Sequence, residues 1–295
     1  MTTAPGLNPP GLPARAVKGV VLLACCAVVI LPFITIVSTS LATREQVTRS
    51  GGMVFLPDEI SFAAYQAIFN GDVVTRAILV SLMVTVVGTT LSLVSTTLLA
   101  YGLSRRGSVA HKPFLMIVLF ALLFTPGIIP SYLMVKSLGL IDTYWSLILP
   151  VMINAFNVII LRAFFMELPE EVIDSARIDG AGDFAILWRI VLPLSKGVLA
   201  VVALFYAVSY WNAFFSALLY LNDISMWPLQ LVLRTFVVNQ TQVGVDQLGV
   251  AGADLPPQEA IQMAILVLSI IPILVVYPFV QRHFTKGVLI GAVKG

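Results

Sequence analysis

One polar stretch of the chain has the residue types and spacing of a compact recognition element. Acidic residues crowd the start of the stretch, where the positive end of a helix dipole attracts carboxylates. The spacing predicts a short helix over Pro169–Asp179, a left-handed stop at Gly180, and a second helix from Gly182 or Asp183 to Pro193. The pattern therefore indicates two short helices joined by a glycine turn.

Apolar residues flank this predicted turn. Ile178, Ala181 and Phe184 would lie at the tip of a polar loop, where apolar side chains favour a surface for a partner protein. The chemistry available here is noncovalent docking. The alternative is a solvated hairpin that merely joins two apolar helices.

Residues that could catalyse a reaction are scarce. The histidines are His111 and His283, and neither belongs to a metal-ligand or Ser/His/Asp pattern. The adjacent Cys25 and Cys26 lie in an apolar run and predict neither a disulfide framework nor a metal site. No Gly-x-x-x-x-Gly-Lys-Ser/Thr phosphate-binding loop exists, so ATP binding through a P-loop is excluded. We expect a chain that is not an enzyme.

Composition identifies the elements that must position the polar loop. The 295 residues are 59% hydrophobic and only 11% charged, which excludes a soluble globular enzyme and a disordered chain. Apolar segments of about 20 residues predict an all-α, polytopic membrane helix bundle with six transmembrane helices. The predicted spans are Gly19–Ser38, Ala77–Tyr101, Pro113–Met134, Tyr144–Phe165, Val198–Leu221 and Ile261–Val280.

The charges between these spans predict the orientation. With both termini in the cytoplasm, most of the 17 basic residues fall on the cytoplasmic side, as the positive-inside rule requires. The polar loop between spans four and five is then cytoplasmic. The first span resembles a signal peptide because Arg15 and Lys18 precede it, but its length and the five later spans favour an uncleaved helix.

The remaining segments carry weaker signals. Ile60–Phe69 predicts a short interfacial helix in the external loop after span one. Asn222–Glu259 is a second long external loop, and Pro5–Pro13 reads as a disordered tail. The expected organisation is a cytoplasmic N-terminal tail (1–18), a first helix with external loop (19–73), a transmembrane core (74–281) and a cytoplasmic C-terminal tail (282–295).

The polar loop gives the sequence a specific resemblance. It is similar to the cytoplasmic loop of permease subunits from binding-protein-dependent ABC importers, which reads Glu-Ala-Ala, three residues, Gly, nine residues, Ile-x-Leu-Pro. Here Asp174 and Ser175 replace the first two residues, and the spacing is kept throughout. The matching positions are Asp174, Ser175, Ala176, Gly180 and Ile190-Val191-Leu192-Pro193.

Further stretches resemble the carbohydrate-uptake branch of this family, which includes maltose-type and oligosaccharide permeases. They are Ile178–Ala181, Phe284–Val288 and Gly291–Gly295. Arg282 and Lys286 fit either an interfacial anchor for span six or the start of a tail that reaches the ATPase.

The resemblance implies a plasma-membrane importer in which two permeases form the pathway. Two ATP-binding cassette subunits lie below, and an external solute-binding protein delivers a sugar or oligosaccharide. ATP and Mg²⁺ would be bound by the partner ATPase, and this chain would hold no cofactor and no metal. The helix–glycine–helix loop would be the coupling helix that docks in the ATPase. The coupling residues implied are Asp174, Ser175, Ala176, Arg177, Ile178, Asp179, Gly180, Ala181 and Phe184.

Candidate substrate contacts lie in spans four and five. Sugars offer C–H faces to aromatic rings and hydroxyls to amides, and the two spans carry both kinds of side chain. Asn154 and Asn157 would share one helix face. Ordinary helix packing, with amides joining neighbouring helices, is the alternative. The candidate pathway residues are Asn154, Asn157, Tyr210, Trp211, Asn212 and Phe215.

Three other functions are alternatives to a sugar importer. A permease of the same superfamily could transport a non-sugar solute. An ion-coupled secondary carrier is disfavoured because the predicted span interiors contain no Asp, Glu or Lys. A structural or export-type membrane subunit would have no binding protein and no solute pathway.

Overall fold

The computed structural model describes residues 12–105, 107, 110–238 and 256–291, and every regular element in this part of the chain is helical. Two segments, Leu187–Val191 and Arg234–Val238, are π-helical. The helices are α1 (Leu12–Ser40), α2 (Arg44–Arg49), α3 (Ala63–Asn70), α4 (Asp72–Ser104), α5 (His111–Leu123), α6 (Ile128–Ser137), α7 (Trp145–Ile148), α8 (Ala155–Met166), α9 (Glu170–Ile178), α10 (Asp183–Leu194), α11 (Lys196–Trp211), α12 (Phe214–Tyr220), α13 (Leu229–Leu233) and α14 (Gln258–Gly291).

Several of these helices are long and apolar enough to cross a membrane. Three continuous helical segments have the required length and apolar composition, Arg15–Ser40, Asp72–Ser104 and Gln258–Pro278. Two further pairs reach the required length only across a bend. One joins Trp145–Val151 to α8 at 50°, and the other joins α10 to α11 at 85°. The predicted all-α membrane bundle is confirmed.

Spans three, four and five are not the continuous helices predicted from sequence. Span three divides into α5 and α6 at a non-helical segment that contains Pro126 and Gly127. Span four breaks between Val151 and Ala155, and span five breaks between α11 and α12 at Asn212. Proline explains the first break because it removes a backbone donor and disfavours helix in the preceding residue.

Other boundaries also differ from expectation. The predicted interfacial helix Ile60–Phe69 is α3, which begins three residues later, and α2 was not predicted. Helix α14 runs to Gly291 through Pro272 and Pro278, so the predicted tail from residue 282 starts inside a helix. Residues 1–11, 239–255 and 292–295, which include parts of the predicted tails and of the second external loop, lie outside the described residues.

The described residues form two compact units. One unit contains residues 12–71 and 256–268. Within it, Thr39 Oγ1 donates to the carbonyl of Val54 at 3.2 Å and accepts from the Val54 amide at 2.9 Å. The Gln46 side chain similarly bridges the Leu56 carbonyl and the Asp58 amide. Side-chain hydrogen bonds to backbone thereby fix a loop that has no regular structure of its own.

The second unit contains residues 72–238 and 269–291 and is built around α4, which packs on α8 and α11. Buried apolar residues such as Val84, Val158 and Val202 form its centre. Gly88 allows α4 and α11 to approach closely, because a β-carbon there would lie 2.8 Å from the Tyr210 ring. Small residues at helix contacts are typical of membrane bundles, where close backbone approach replaces the hydrophobic driving force.

Candidate functional site

The polar loop forms the predicted helix–glycine–helix hairpin. Helix α9 begins at Glu170, with Pro169 as its N-cap, and its first turn contains two acids while Arg177 lies in its last turn. Both placements complement the helix dipole. The predicted helix Pro169–Asp179 is confirmed to within one residue at each end.

Gly180 makes the turn between α9 and α10. Its φ is +81°, in the left-handed region that costs a residue with a β-carbon free energy. The Ala181 amide donates to the Ala176 carbonyl at 2.9 Å, and the Gly180 amide donates to the Arg177 carbonyl at 3.0 Å. This is the pattern of a Schellman stop, so the predicted conformation of Gly180 is confirmed.

Buried side chains fix the base of the hairpin to the membrane helices. Ile173, Ile186 and Val191 belong to the same apolar core as Leu161 and Phe165 of α8. The hairpin therefore packs against the membrane helices and is not a fully solvated loop.

Polar contacts join the hairpin to the end of α4. The Tyr101 hydroxyl donates to the Asp183 carbonyl at 3.0 Å and accepts from Arg105 Nη2 at 2.9 Å. The Arg105 guanidinium also lies 4.7 Å from the centre of the Tyr101 ring. Together with Phe165 and Arg177, these side chains line a cavity of about 760 Å³ beneath the hairpin.

Ion pairs stabilise the hairpin internally. Arg177 lies 3.4 Å from Asp174 and 3.9 Å from Asp183, so it joins α9 to the start of α10. These groups are largely exposed, and such pairs contribute little free energy individually. Arg177 and Asp174 are thus already paired within the hairpin. Asp179 has no ion pair within 4.0 Å among the described residues.

The tip of the hairpin presents large apolar side chains. Ile178 is 87% exposed, Phe184 71% and Trp188 66%. The rings of Phe184 and Trp188 stack with centroids 6.4 Å apart and planes 10° from parallel. Ala181 is half-buried and packs against the core instead. Trp188 was not predicted, although its position one helical turn after Phe184 places the two residues on one face.

The other predicted coupling residues have structural roles. Ser175 donates its hydroxyl to the Glu171 carbonyl at 2.7 Å, and Ala176 packs against the core. The structure therefore leaves Ile178 and Phe184, with Trp188, as the surface that a partner could cover. We call these three residues the apolar tip.

A second candidate site lies at the break in span four. Asn154 is the N-cap of α8, and its side-chain oxygen accepts from the Asn157 amide at 3.2 Å. The Asn154 amide donates to the Tyr206 hydroxyl at 3.0 Å, and the Thr96 hydroxyl lies 2.6 Å from the same oxygen. The prediction that Asn154 and Asn157 share a helix face is wrong, because Asn154 lies outside the helix that it caps.

These two asparagines nevertheless line one crevice. It measures about 350 Å³ and combines amides, aromatic rings and two hydroxyls from α8, the segment before it, and α11. Asn157 is buried and Asn154 is exposed. Irregular backbone at membrane depth is tolerated where it lines a cavity, and such breaks are common at solute sites of transporters. Its lining residues are Val151, Asn154, Phe156, Asn157, Phe205, Tyr206 and Ser209.

The remaining predicted pathway residues do not line this crevice. Tyr210 is buried, with its hydroxyl 2.8 Å from Ser92 Oγ, and Trp211 donates its indole N–H to the Ser269 carbonyl at 2.9 Å. Asn212 is exposed and donates its side chain to the Val208 carbonyl of its own helix. Phe215 is also exposed and lies beyond the break in span five.

Sequence reasoning missed the residue that organises the crevice, Tyr206. Ser92 and Thr96 are four residues apart on α4, and their partners Tyr210 and Tyr206 are four apart on α11. This matched spacing on antiparallel helices is a signal, but its use requires knowledge that the two helices pack together.

The chain matches proteins of one family over most of its length. The model of the family described as "Binding-protein-dependent transport system inner membrane component" matches residues 88–290. The polygalacturonan/rhamnogalacturonan transport system permease protein YtcP of Bacillus subtilis is 46% identical over 93% of this chain and 96% of its own length. Protein LplC of the same organism is 47% identical over 91% of this chain and 90% of its own.

Solved structures share the fold. A chain from the crystal structure of a bacterial ABC transporter involved in the import of the acidic polysaccharide alginate superposes with a TM-score of 0.87. It is 32% identical, and the match covers 94% of this chain and 100% of that one. A chain from the bacterial alginate ABC transporter in complex with alginate pentasaccharide-bound periplasmic protein is 15% identical with a TM-score of 0.54, which shows the fold alone.

Proposed function

Because this chain belongs to the family of binding-protein-dependent transport system inner membrane components, we propose that it is the permease subunit of an ATP-driven saccharide importer. With a second permease it forms the membrane pathway for a sugar or oligosaccharide that an external binding protein delivers. The observation that carries this function is the glycine-turn hairpin with its apolar tip, which lies inside the matched residues 88–290.

The energy comes from partner subunits in this proposal. Two ATP-binding cassette subunits bind ATP and Mg²⁺, since this chain has no P-loop sequence. The apolar tip docks on one of them, and the core contacts of Ile173 and Ile186 carry motion from the docked hairpin to the membrane helices. Delivery of solute outside and ATP hydrolysis inside are then coupled reciprocally as binding equilibria.

The distribution of basic residues supports a cytoplasmic location for the hairpin and both termini. The hairpin and the ends of the neighbouring spans carry Arg162, Arg177, Arg189 and Lys196, as the positive-inside rule predicts for cytoplasmic segments. In this proposed orientation, the break between α11 and α12 faces the outside.

A saccharide substrate is supported by the crevice and by the relatives. The crevice offers the amides of Asn154 and Asn157, the hydroxyl of Ser209 and the ring of Phe205, which suit hydroxyls and C–H faces. The names of several relatives refer to saccharides, including arabinooligosaccharides for a Bacillus subtilis permease that is 27% identical over 90% of this chain.

The test is transport by the reconstituted complex. The chain would be co-expressed with its second permease and ATPase, placed in liposomes and supplied with its binding protein and labelled oligosaccharides. We expect accumulation that requires ATP and the binding protein. Uptake by this chain without an ATPase would overturn the proposal in favour of a secondary carrier, and ATP-driven uptake of only non-sugar solutes would overturn the substrate class.

A further inference from the structure

An arginine in the second unit stacks on an aromatic ring and has no acidic partner among the described residues. Arg234 begins the π-helical turn after α13, and its guanidinium carbon lies 4.9 Å from the centre of the Phe214 ring. The residue is half-buried. No carboxylate of the described residues lies within 4.0 Å of its nitrogens.

The segment that carries Arg234 enters the helix bundle. The Leu229 amide, at the start of α13, donates to Ser81 Oγ at 2.8 Å in a buried contact. Ser81 lies nine residues into α4, which at about 1.5 Å per residue is about 13 Å from the start of that helix. Helix α13 therefore begins alongside α4 rather than beyond its end.

Phe214 connects the same arginine to the helix that lines the crevice. It is the first residue of α12, directly after the break that ends α11. Helix α11 supplies Phe205, Tyr206 and Ser209 to the crevice, and Phe214 follows Ser209 by five residues. Phe215 beside it is 46% exposed.

An arginine without a carboxylate partner among the described residues, on a segment that packs into a membrane helix bundle, is a candidate functional residue. The ring face of Phe214 stabilises the cation. Stacking on the ring face does not use the in-plane N–H donors, and those donors match a carboxylate in a bidentate geometry. An adjacent exposed aromatic ring suits the C–H face of a pyranose. The chemistry that fits both features is a sugar with a carboxylate substituent.

We propose that Arg234, held over Phe214, binds the carboxylate of an acidic oligosaccharide as it enters the pathway. This assignment rests on the saccharide-import function proposed above and adds a charge requirement to it. Arg234 is a specificity-determining residue here, because a neutral saccharide has no group that needs the guanidinium.

The experiment compares an acidic oligosaccharide with its carboxyl-reduced, neutral counterpart in the reconstituted complex. Binding-protein-dependent, ATP-driven uptake is measured for the wild type, Arg234→Gln and Arg234→Lys. We expect Arg234→Gln to lower kcat/KM for the acidic substrate by about ten- to a hundredfold, as loss of a charged hydrogen bond predicts, and to leave the neutral substrate unchanged. Arg234→Lys should recover part of the loss.

Arg76→Gln is the matched control. It removes one positive charge from the same unit, at a half-exposed side chain that pairs with Asp72 at 3.5 Å. We expect it to leave both substrates unaffected. An equal loss for acidic and neutral substrates in Arg234→Gln would make the arginine a packing residue and overturn the proposal, as would no loss for either.

Two outcomes separate this proposal from its premise. If the wild type shows no ATP-driven uptake of either saccharide, the transport function itself fails. If a phosphorylated sugar depends on Arg234 while the carboxylated one does not, the carboxylate assignment is wrong and the transport function stands.

Discussion

Asp142 accepts two hydrogen bonds from Asn222, one from the backbone amide to Oδ1 and one from the side-chain amide to Oδ2 at 2.9 Å. The Asp142 amide in turn donates to the Tyr220 carbonyl at 2.9 Å, and Asp142 adopts a left-handed φ of +56°. These contacts join the segment before α7 to the segment after α12, so two distant parts of the chain are held at one point.

The Asp142 contact predicts a dependence of stability on acid. The side-chain hydrogen bond from Asn222 lowers the pKa of Asp142 below its usual value of 3.8, and the Asn222 backbone hydrogen bond adds to the effect. Because the folded-state pKa is depressed, the contribution is present above the unfolded value and is lost as pH falls through the folded value. We expect the thermal midpoint of the wild type to fall more than that of Asp142→Asn on acidification below about pH 4.

Asp72→Asn is the control for that experiment, because it removes a carboxylate that is 91% exposed at the start of α4. Identical acid profiles for the wild type and Asp142→Asn would show that the contact does not contribute. The profiles are measured by thermal unfolding in one detergent at fixed ionic strength.

Gly88→Ala tests the close approach of α4 and α11. A β-carbon would lie 2.8 Å from the Tyr210 ring, and overpacking of this kind costs about 1–3 kcal/mol. We expect a lower thermal midpoint for the purified protein. Gly102→Ala, in the same helix but with no atom within 4 Å of the added carbon, should be neutral or stabilising. Equal midpoints for the two variants would contradict the observed packing.

Tyr206→Phe tests the hydrogen bonds at the break in span four. The change leaves the Asn154 amide and the Thr96 hydroxyl without this partner, and an unpaired buried group costs about 1–3 kcal/mol. A double-mutant cycle with Thr96→Val should give a coupling energy of about 0.6 kcal/mol, the average for such pairs in membrane proteins. Additive effects of the two changes would show that the hydroxyls do not interact.

Gly180→Val tests the hairpin turn. A left-handed φ of +81° disfavours valine, whereas the space around the glycine is open, so we expect strain confined to the turn. The strain should be at least about 1 kcal/mol. Membrane levels should stay normal while ATP hydrolysis no longer drives transport. Gly182→Val is the control, because its φ of −71° suits any residue. Normal transport by Gly180→Val would exclude a coupling role for the turn.

Phe184→Asp tests the apolar tip. Burial of an apolar side chain of this size contributes about 1.5–3 kcal/mol, so the variant should co-purify with less ATPase. Val172→Asp, on α9 and 43% exposed, is a control outside the tip. Unchanged co-purification would remove Phe184 from the docking surface.

A crosslinker at Ala181 tests the orientation of the hairpin. It should reach the ATPase only from the cytoplasm, and labelling of Ala181→Cys from outside intact cells would overturn the topology.

The hairpin could be predicted from sequence because its signals are local. Acids at the start of α9 and Gly180 after its end act within a few residues, and both are independent of the rest of the fold. The breaks in spans three and four also have local signals in the sequence, from which interrupted helices could have been predicted. Pro126-Gly127 is a turn signal, and Asn154 is a preferred N-cap residue.

The break in span five and the contents of the crevice could not be predicted in the same way. No proline or glycine lies between Val198 and Leu221, and the break follows Asn212, whose side chain donates to the Val208 carbonyl. Tyr206 and Tyr210 were equally suited to packing or solute contact. Their hydroxyls form hydrogen bonds with Thr96 and Ser92, which lie more than a hundred residues earlier in the chain. The sequence near the tyrosines does not show these contacts.

The 85° angle between α10 and α11 makes the junction at Ser195 an elbow. When two rigid rods meet almost at a right angle, a push along the first displaces the end of the second sideways. A movement of α10 along its own axis would therefore displace the N-terminal end of α11 sideways, parallel to the membrane surface. It would not move α11 along its own axis through the membrane. The Ser195 side chain is buried, and its hydroxyl has no hydrogen-bond partner in the described part of the chain. The Ser195 hydroxyl therefore forms no hydrogen bond with the described residues that such a movement would have to break.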